Sequence, residues 1–150
     1  VMRPNETTEE HEAADAKATG ETMAATRRLL IVDDDDEIRN VFGLLLGSAF
    51  PDVPIDEAPD GVEAIERFRE HRHRVIVMDL MMPKMDGRRA FETLEKTCAE
   101  QNWEMPAVVF CTGFSPPTVI QQIVASQKKH CLLSKPVRGD TLIDHVEQRL

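Results

Sequence analysis

The sequence predicts an α/β fold, a five-stranded parallel sheet in the order 2-1-3-4-5 flanked by five helices. Two observations carry that expectation. Short apolar runs at Leu29–Val32, Val53–Glu57 (the weakest), Val75–Met78, Ala107–Cys111 and Leu132–Ser134 alternate with windows whose apolar residues recur every three or four positions. The first, third and fourth runs are apolar almost throughout, as strands buried on both faces must be, and parallel sheets bury both faces.

Each helical window has its own stripe. Ile38, Val41/Phe42, Leu45 and Ala49 mark the first, and Val62, Ile65 and Phe68 the second. Ala90, Phe91, Leu94 and Cys98 mark a third helix from about 87 to 99. Val119/Ile120, Ile123 and Val124 mark the fourth, and Leu142/Ile143, Val146 and Leu150 the fifth. Turn residues fall between the elements. Pro51 and Pro54 bracket the turn before strand two, and Pro106 precedes strand four. Asp35 or Asp36 caps helix one, Asp60-Gly61 opens helix two, and Asp86-Gly87 forms a turn and cap before helix three. Pro116-Pro117 suits the first turn of helix four, where a missing N–H costs nothing, and Gly139-Asp140 starts helix five. Right-handed crossovers leave few topologies for such a chain, and the flavodoxin-like order 2-1-3-4-5 suits five units of this length.

Residues 1–26 differ from the rest. They are rich in Glu, Thr and Ala and nearly free of large aliphatic side chains, so they are expected to form a disordered extension or linker. Residues 27–150 are expected to form one domain, long enough to bury a core. A formal charge of −9 without a basic stripe speaks against nucleic acid. No stretch is apolar for long enough to span a bilayer, and a cytoplasmic protein without membrane contact is expected. Cys98, Cys111 and Cys131 have no metal-binding spacing and are taken as small core residues in a reducing compartment. His11, His71, His73, His130 and His145 share no ligand spacing either and are expected at the surface.

The chemistry lies at the strand ends. Asp33-Asp34 follows the first run, Asp79 the third, Thr112 the fourth and Lys135 the fifth. In the expected order these tips meet at one crevice, where ligands of open α/β sheets bind. Three carboxylates crowded together repel unless a cation lies among them, and a hard divalent ion such as Mg²⁺ (or Mn²⁺) takes oxygen ligands. Asp79 can then act as a carboxylate nucleophile toward phosphorus. Lys135 is a mobile point charge for its oxygens, and Thr112 a hydroxyl donor.

From about 27 to 150 the chain resembles the receiver domain of two-component response regulators. The resemblance rests on Leu29-Leu30-Ile31-Val32-Asp33-Asp34, on Met78-Asp79-Leu80-Met81-Met82-Pro83-Lys84-Met85-Asp86-Gly87, on Thr112-Gly113, and on Ser134-Lys135-Pro136. The intervals agree as well: 33 residues from Asp79 to Thr112 and 56 from Asp79 to Lys135. The resemblance implies that Asp79 accepts a phosphoryl group from a phosphohistidine on a sensor histidine kinase or histidine phosphotransfer protein. It implies a Mg²⁺ site of Asp34, Asp79 and the main-chain carbonyl of Met81, with Asp33 reaching the ion through water. Thr112 and Lys135 would hold the phosphoryl group and relay its presence. Apart from phosphoryl uptake and slow autodephosphorylation, no enzyme activity is implied.

The resemblance departs at three positions. Many receivers carry an aromatic switch residue three positions before the lysine, whereas this chain has Leu132 and no tyrosine. Met81 and Phe114 stand where the family borders the path of attacking water, and apolar groups there are expected to lengthen the acyl phosphate's life. No effector domain is expected after the fifth helix, so output is expected through the face of helix four, strand five and helix five. Thr118, Gln121, Gln122, Gln127, Lys128 and Lys129 would supply a polar helix-four face, and a homodimer stays open.

Two other classes compete. A phosphohydrolase forming an aspartyl phosphate, as in haloacid-dehalogenase-like enzymes, needs a second Asp two positions past a first-strand nucleophile, and Asp33-x-Asp35 has that spacing. A flavin carrier on the same fold is disfavoured by the acidic rim, which would repel a flavin phosphate.

Overall fold

The computed structural model describes residues 22–150; the expectation for residues 1–21 lies outside them. Five strands alternate with five helices: β1 (Thr26–Val32), α1 (Asp36–Ala49), β2 (Ile55–Ala58), α2 (Gly61–His71), β3 (His73–Asp79), α3 (Gly87–Gln101), β4 (Ala107–Thr112), α4 (Thr118–Ser126), β5 (Cys131–Ser134) and α5 (Gly139–Glu147). The sheet runs β2-β1-β3-β4-β5 and every neighbouring pair is parallel, the predicted order. Paired structure begins before residue 27. Thr26 already pairs with His73, and Met23 forms a bridge with Trp103.

Alternation along the strands divides the core. Leu29, Ile31, Val75, Val77, Val109 and Cys111 face α1 and α5, where Phe42, Leu46, Leu142 and Val146 cover them. Leu30, Val32, Ile76, Met78, Val108 and Phe110 face the other way, against Phe68, Phe91, Leu94 and Ile120. Large apolar side chains on both faces stabilise the sheet by roughly 1.5–3 kcal/mol each. They also hold the strand tips rigid.

The local caps follow the sequence closely. Asp35 caps α1 by accepting from the N–H groups of Glu37 and Ile38, Asp60 caps α2, and Asp86 caps α3. Four details differ from expectation. The second strand begins at Ile55 rather than Val53, which instead buries its side chain beneath the α1 side. In α1 the deeply buried residues are Phe42 and Leu46, while Ala49 is exposed, because the stripe is set by where the helix meets the sheet. Pro117 is the residue before α4 rather than part of its first turn. That helix ends at Ser126, so Gln127, Lys128 and Lys129 belong to the following connection and not to a helix face.

Two histidines expected at the surface are buried. His73 opens β3 with its Nε2 2.6 Å from Asp56 Oδ2, and Arg28 forks onto the same carboxylate at 2.9 and 3.1 Å. Burial pulls the pKa of His73 down, and the Asp56 bond opposes it. His130 packs edge-on against Phe91, and its Nδ1 accepts from the Val108 N–H at 3.0 Å, just before β5 begins to pair with β4. Burial, with Lys129 and Arg149 adding to it, lowers this imidazole's pKa to about 4. An absent metal spacing excludes one role for histidine and says nothing about depth.

Candidate functional site

Parallel strands bring all their carboxyl ends to one edge of the sheet. The registers Val32↔Met78, Asp79↔Cys111 and Thr112↔Ser134 therefore place Asp33, Asp79, Thr112 and Lys135 at neighbouring tips. Asp33, Asp79 and Thr112 are buried, whereas Asp34 is exposed at the rim.

Carboxylate oxygens of Asp33, Asp34 and Asp79 lie within 4.8 Å of one another. Lys135 Nζ crosses to this cluster, 2.8 Å from Asp33 Oδ2 and 3.2 Å from Asp79 Oδ2. Burial works against the ammonium, but its bonds and attraction to Asp33 and then Asp79 outweigh that and raise its pKa. Burial raises the pKa of Asp79, and Asp33 adds to it. The Met81 N–H, which donates to Oδ1 at 3.2 Å, and Lys135 offset part of that rise. One lysine therefore serves two carboxylates, leaving the cluster with an excess of negative charge. Three hard oxygen donors this close fit a small divalent cation and would not suit a soft metal.

Main-chain contacts hold each member. The other oxygen of Asp33 accepts from the Asp35 N–H at 2.9 Å, and its carbonyl accepts from Arg39 Nη1 at 2.6 Å. The Thr112 carbonyl accepts from the Lys135 N–H at 2.8 Å, which ties the hydroxyl and the lysine together. Thr112 Oγ1 accepts from the Phe114 N–H at 3.2 Å, so its own proton can point toward a ligand. Gly87 is required beside Asp79: a Cβ there would lie 2.6 Å from the Asp79 carbonyl oxygen. Gly61 is equally constrained, since a Cβ would meet the Met85 carbonyl at 2.5 Å. These close approaches clamp the β3–α3 connection that carries Met81.

Residues 29–147 match the family described as the response regulator receiver domain. The chain belongs to that family. Receivers similar to it include the chemotaxis protein CheY of Bacillus subtilis, 26% identical over 124 residues that make up 82% of this chain and 97% of the relative. CheY of Halobacterium salinarum is also 26% identical, over 83% of this chain and 97% of its own. Among solved receivers, the chemotaxis protein CheY4 of Vibrio cholerae superposes with a TM-score of 0.66 at 26% identity, covering 84% of this chain and all of that one.

Within this receiver, the predicted site residues separate into two groups. Asp33, Asp34, Asp79 and Lys135 converge, with Thr112 at the adjoining tip. Met81 and Phe114 are 59% and 70% exposed and face a cleft of about 150 Å³ beside Thr112, which Asp86 and Arg88 also line. Leu132 is part-buried against the α2–α3–α4 side of the core. Sequence reasoning missed the Lys135–Asp33 contact and the Arg39 brace, because neither has a spacing signature. Asp35, which a dehalogenase-like mechanism would need as a catalytic partner, is committed to capping α1.

Proposed function

We propose that this receiver takes a phosphoryl group onto Asp79 from a phosphohistidine, carried by a sensor histidine kinase or a histidine phosphotransfer protein. The observation that carries the reading is the shared position of Lys135 between Asp33 and Asp79, beside a third carboxylate. An Asp79 oxygen attacks phosphorus and forms the acyl phosphate. The P–N bond to the donor breaks, and its electron pair returns to the imidazole nitrogen. Buried and hydrogen-bonded from Met81, Asp79 is oriented for that attack before the donor arrives.

Asp34, Asp79 and the Met81 carbonyl would hold Mg²⁺ or Mn²⁺, with Asp33 reaching it through water. Bound there, the ion would offset the charge of the carboxylates and the incoming phosphoryl oxygens. Lys135 can exchange part of its contact with Asp79 for a phosphoryl oxygen, and the Thr112 hydroxyl can donate to another. The added charge, roughly −1.5 to −2, then biases the conformations of the β4–α4 connection and β5. Output runs through the α4–β5–α5 face to a partner or a second copy. Leu132 takes the place of an aromatic switch, so its rotamer change is the expected reporter.

The test is incubation with acetyl phosphate and Mg²⁺ followed by intact mass measurement. One phosphoryl adduct is expected, acid-stable and base-labile as acyl phosphates are. It should be absent without divalent cation and absent in Asp79→Asn. An adduct that survives Asp79→Asn would overturn the assignment.

A further inference from the structure

The sheet edge opposite Asp79 carries a second charged feature. A cleft of about 270 Å³ is lined there by Arg74, Lys128, Lys129 and Arg149, with Glu104 the one carboxylate among its lining residues. Four cations around one acid is the reverse of the chain as a whole, whose formal charge is −9. Among the described residues, Lys129 pairs with Glu104 at 3.9 Å, and the other three cations bond no carboxylate. Arg149 is fixed by the main-chain carbonyls of Lys129 at 2.8 Å and His145 at 2.9 Å. Its guanidinium is thereby held in place by neutral groups alone among the described residues. Among the described residues, Arg74 reaches only the Ala25 carbonyl, at 3.5 Å.

The chain enters the fold at the lip of this cleft. Glu104, a lining residue, donates its N–H to the Met23 carbonyl at 2.7 Å, and the Met23 N–H donates to Asn102 at 2.9 Å. Upstream, Glu6, Glu9, Glu10 and Glu12 place four carboxylates in seven residues with no lysine or arginine among them. Met23 lies eleven positions beyond Glu12, a span of up to roughly 36 Å, ample for the chain to double back.

We propose that the acidic stretch from Glu6 to Glu12 docks into the Arg74–Lys128–Lys129–Arg149 cleft of its own chain. Single exposed ion pairs are weak, about 0–1 kcal/mol each. Tethering raises the local concentration of the acidic stretch to the millimolar range, so several weak pairs suffice. The contact is salt-sensitive, because exposed charges are screened within about 3 Å at molar ionic strength. It holds the connection between α4 and β5, in which Lys128 and Lys129 lie. No phosphoryl chemistry is needed for it.

Zero-length carbodiimide coupling of the full chain tests this directly. The reagent joins a glutamate carboxyl to a touching lysine amine as an amide, and takes up the water released to become a urea. Peptide mapping of the monomeric fraction should show Glu6, Glu9, Glu10 or Glu12 joined to Lys128 or Lys129 at least several-fold more often than to Lys96, an exposed lysine on α3. Those links should disappear in molar salt. Links spread equally over Lys96 and the cleft lysines, links that persist in molar salt, or no links at all would overturn the proposal. Links confined to the dimeric fraction would overturn it too, and would give the cleft to a second copy's segment.

Discussion

The Lys135 ammonium lies 2.8 Å from an Asp33 oxygen, closer than to Asp79 at 3.2 Å, although 102 residues of chain separate the lysine from Asp33. Lysine and a bound divalent cation would therefore compete for the same carboxylates. Replacing Lys135 by alanine removes a unit charge a few ångströms from the proposed divalent site, so Mg²⁺ should bind on the order of tenfold tighter. Phosphoryl uptake should fall in the same variant. Calorimetric titration with Mg²⁺ reads the first effect, and unchanged or weaker binding would contradict the competition.

Asp79 should set the acid limb of activity. Its raised pKa means that it is protonated at a higher pH than a free aspartate. Mg²⁺ binding and acetyl phosphate uptake should therefore decline above the pH at which an ordinary carboxyl titrates. The sign for stability is the reverse of the usual carboxylate case. The native state holds this proton more tightly than the unfolded chain, so the ionised group costs stability at neutral pH, and the cost fades as pH falls through the raised native value to the unfolded one. In metal-free buffer at pH 7, Asp79→Asn should melt at a higher temperature than the parent.

Met81 and Phe114 flank the cleft beside Thr112 with large exposed apolar surfaces. Met81→Asn combined with Phe114→Glu should offer hydrogen bonds to an attacking water and speed autodephosphorylation by on the order of tenfold, ~1.4 kcal/mol of barrier. The decay of the acyl phosphate after donor removal measures this. An unchanged or slower decay would remove these positions from the account of phosphoryl lifetime.

His130 predicts a pH dependence of folding unrelated to phosphoryl transfer. Its native pKa of about 4 lies below the unfolded value near 6.5, so the unfolded state binds the extra proton first as pH falls. Stability should be full above pH 6.5 and decline toward pH 4, by roughly 3 kcal/mol from this residue. The buried His73 acts in the same direction. Urea midpoints between pH 7 and 4 test it, and His130→Leu should flatten the slope even though the Val108 N–H loses its acceptor.

Gly87→Ala should destabilise the domain by ~1–3 kcal/mol, the usual cost of forcing atoms into a packed site. The added carbon would press on the carbonyl of Asp79, the proposed phosphoacceptor. Phosphoryl uptake should drop even where the variant remains folded by circular dichroism.

Much of this protein is legible in one dimension because its constraints are periodic or local. Alternating strands and helices, continuous apolar runs and Asp caps at 35, 60 and 86 depend on residues near one another in the chain. Parallel topology does the rest, since it sends every strand's carboxyl end to the same edge and with it Asp33, Asp79, Thr112 and Lys135. Tertiary packing decided what periodicity cannot express. It put Leu46 rather than Ala49 beneath the sheet, and it buried His73 and His130 where an aspartate and a main-chain N–H were waiting. It also turned Lys135 toward Asp33 as well as Asp79, and gathered Arg74, Lys128, Lys129 and Arg149 at the far end. Those outcomes depend on distances between residues far apart in sequence, which only the packed sheet sets.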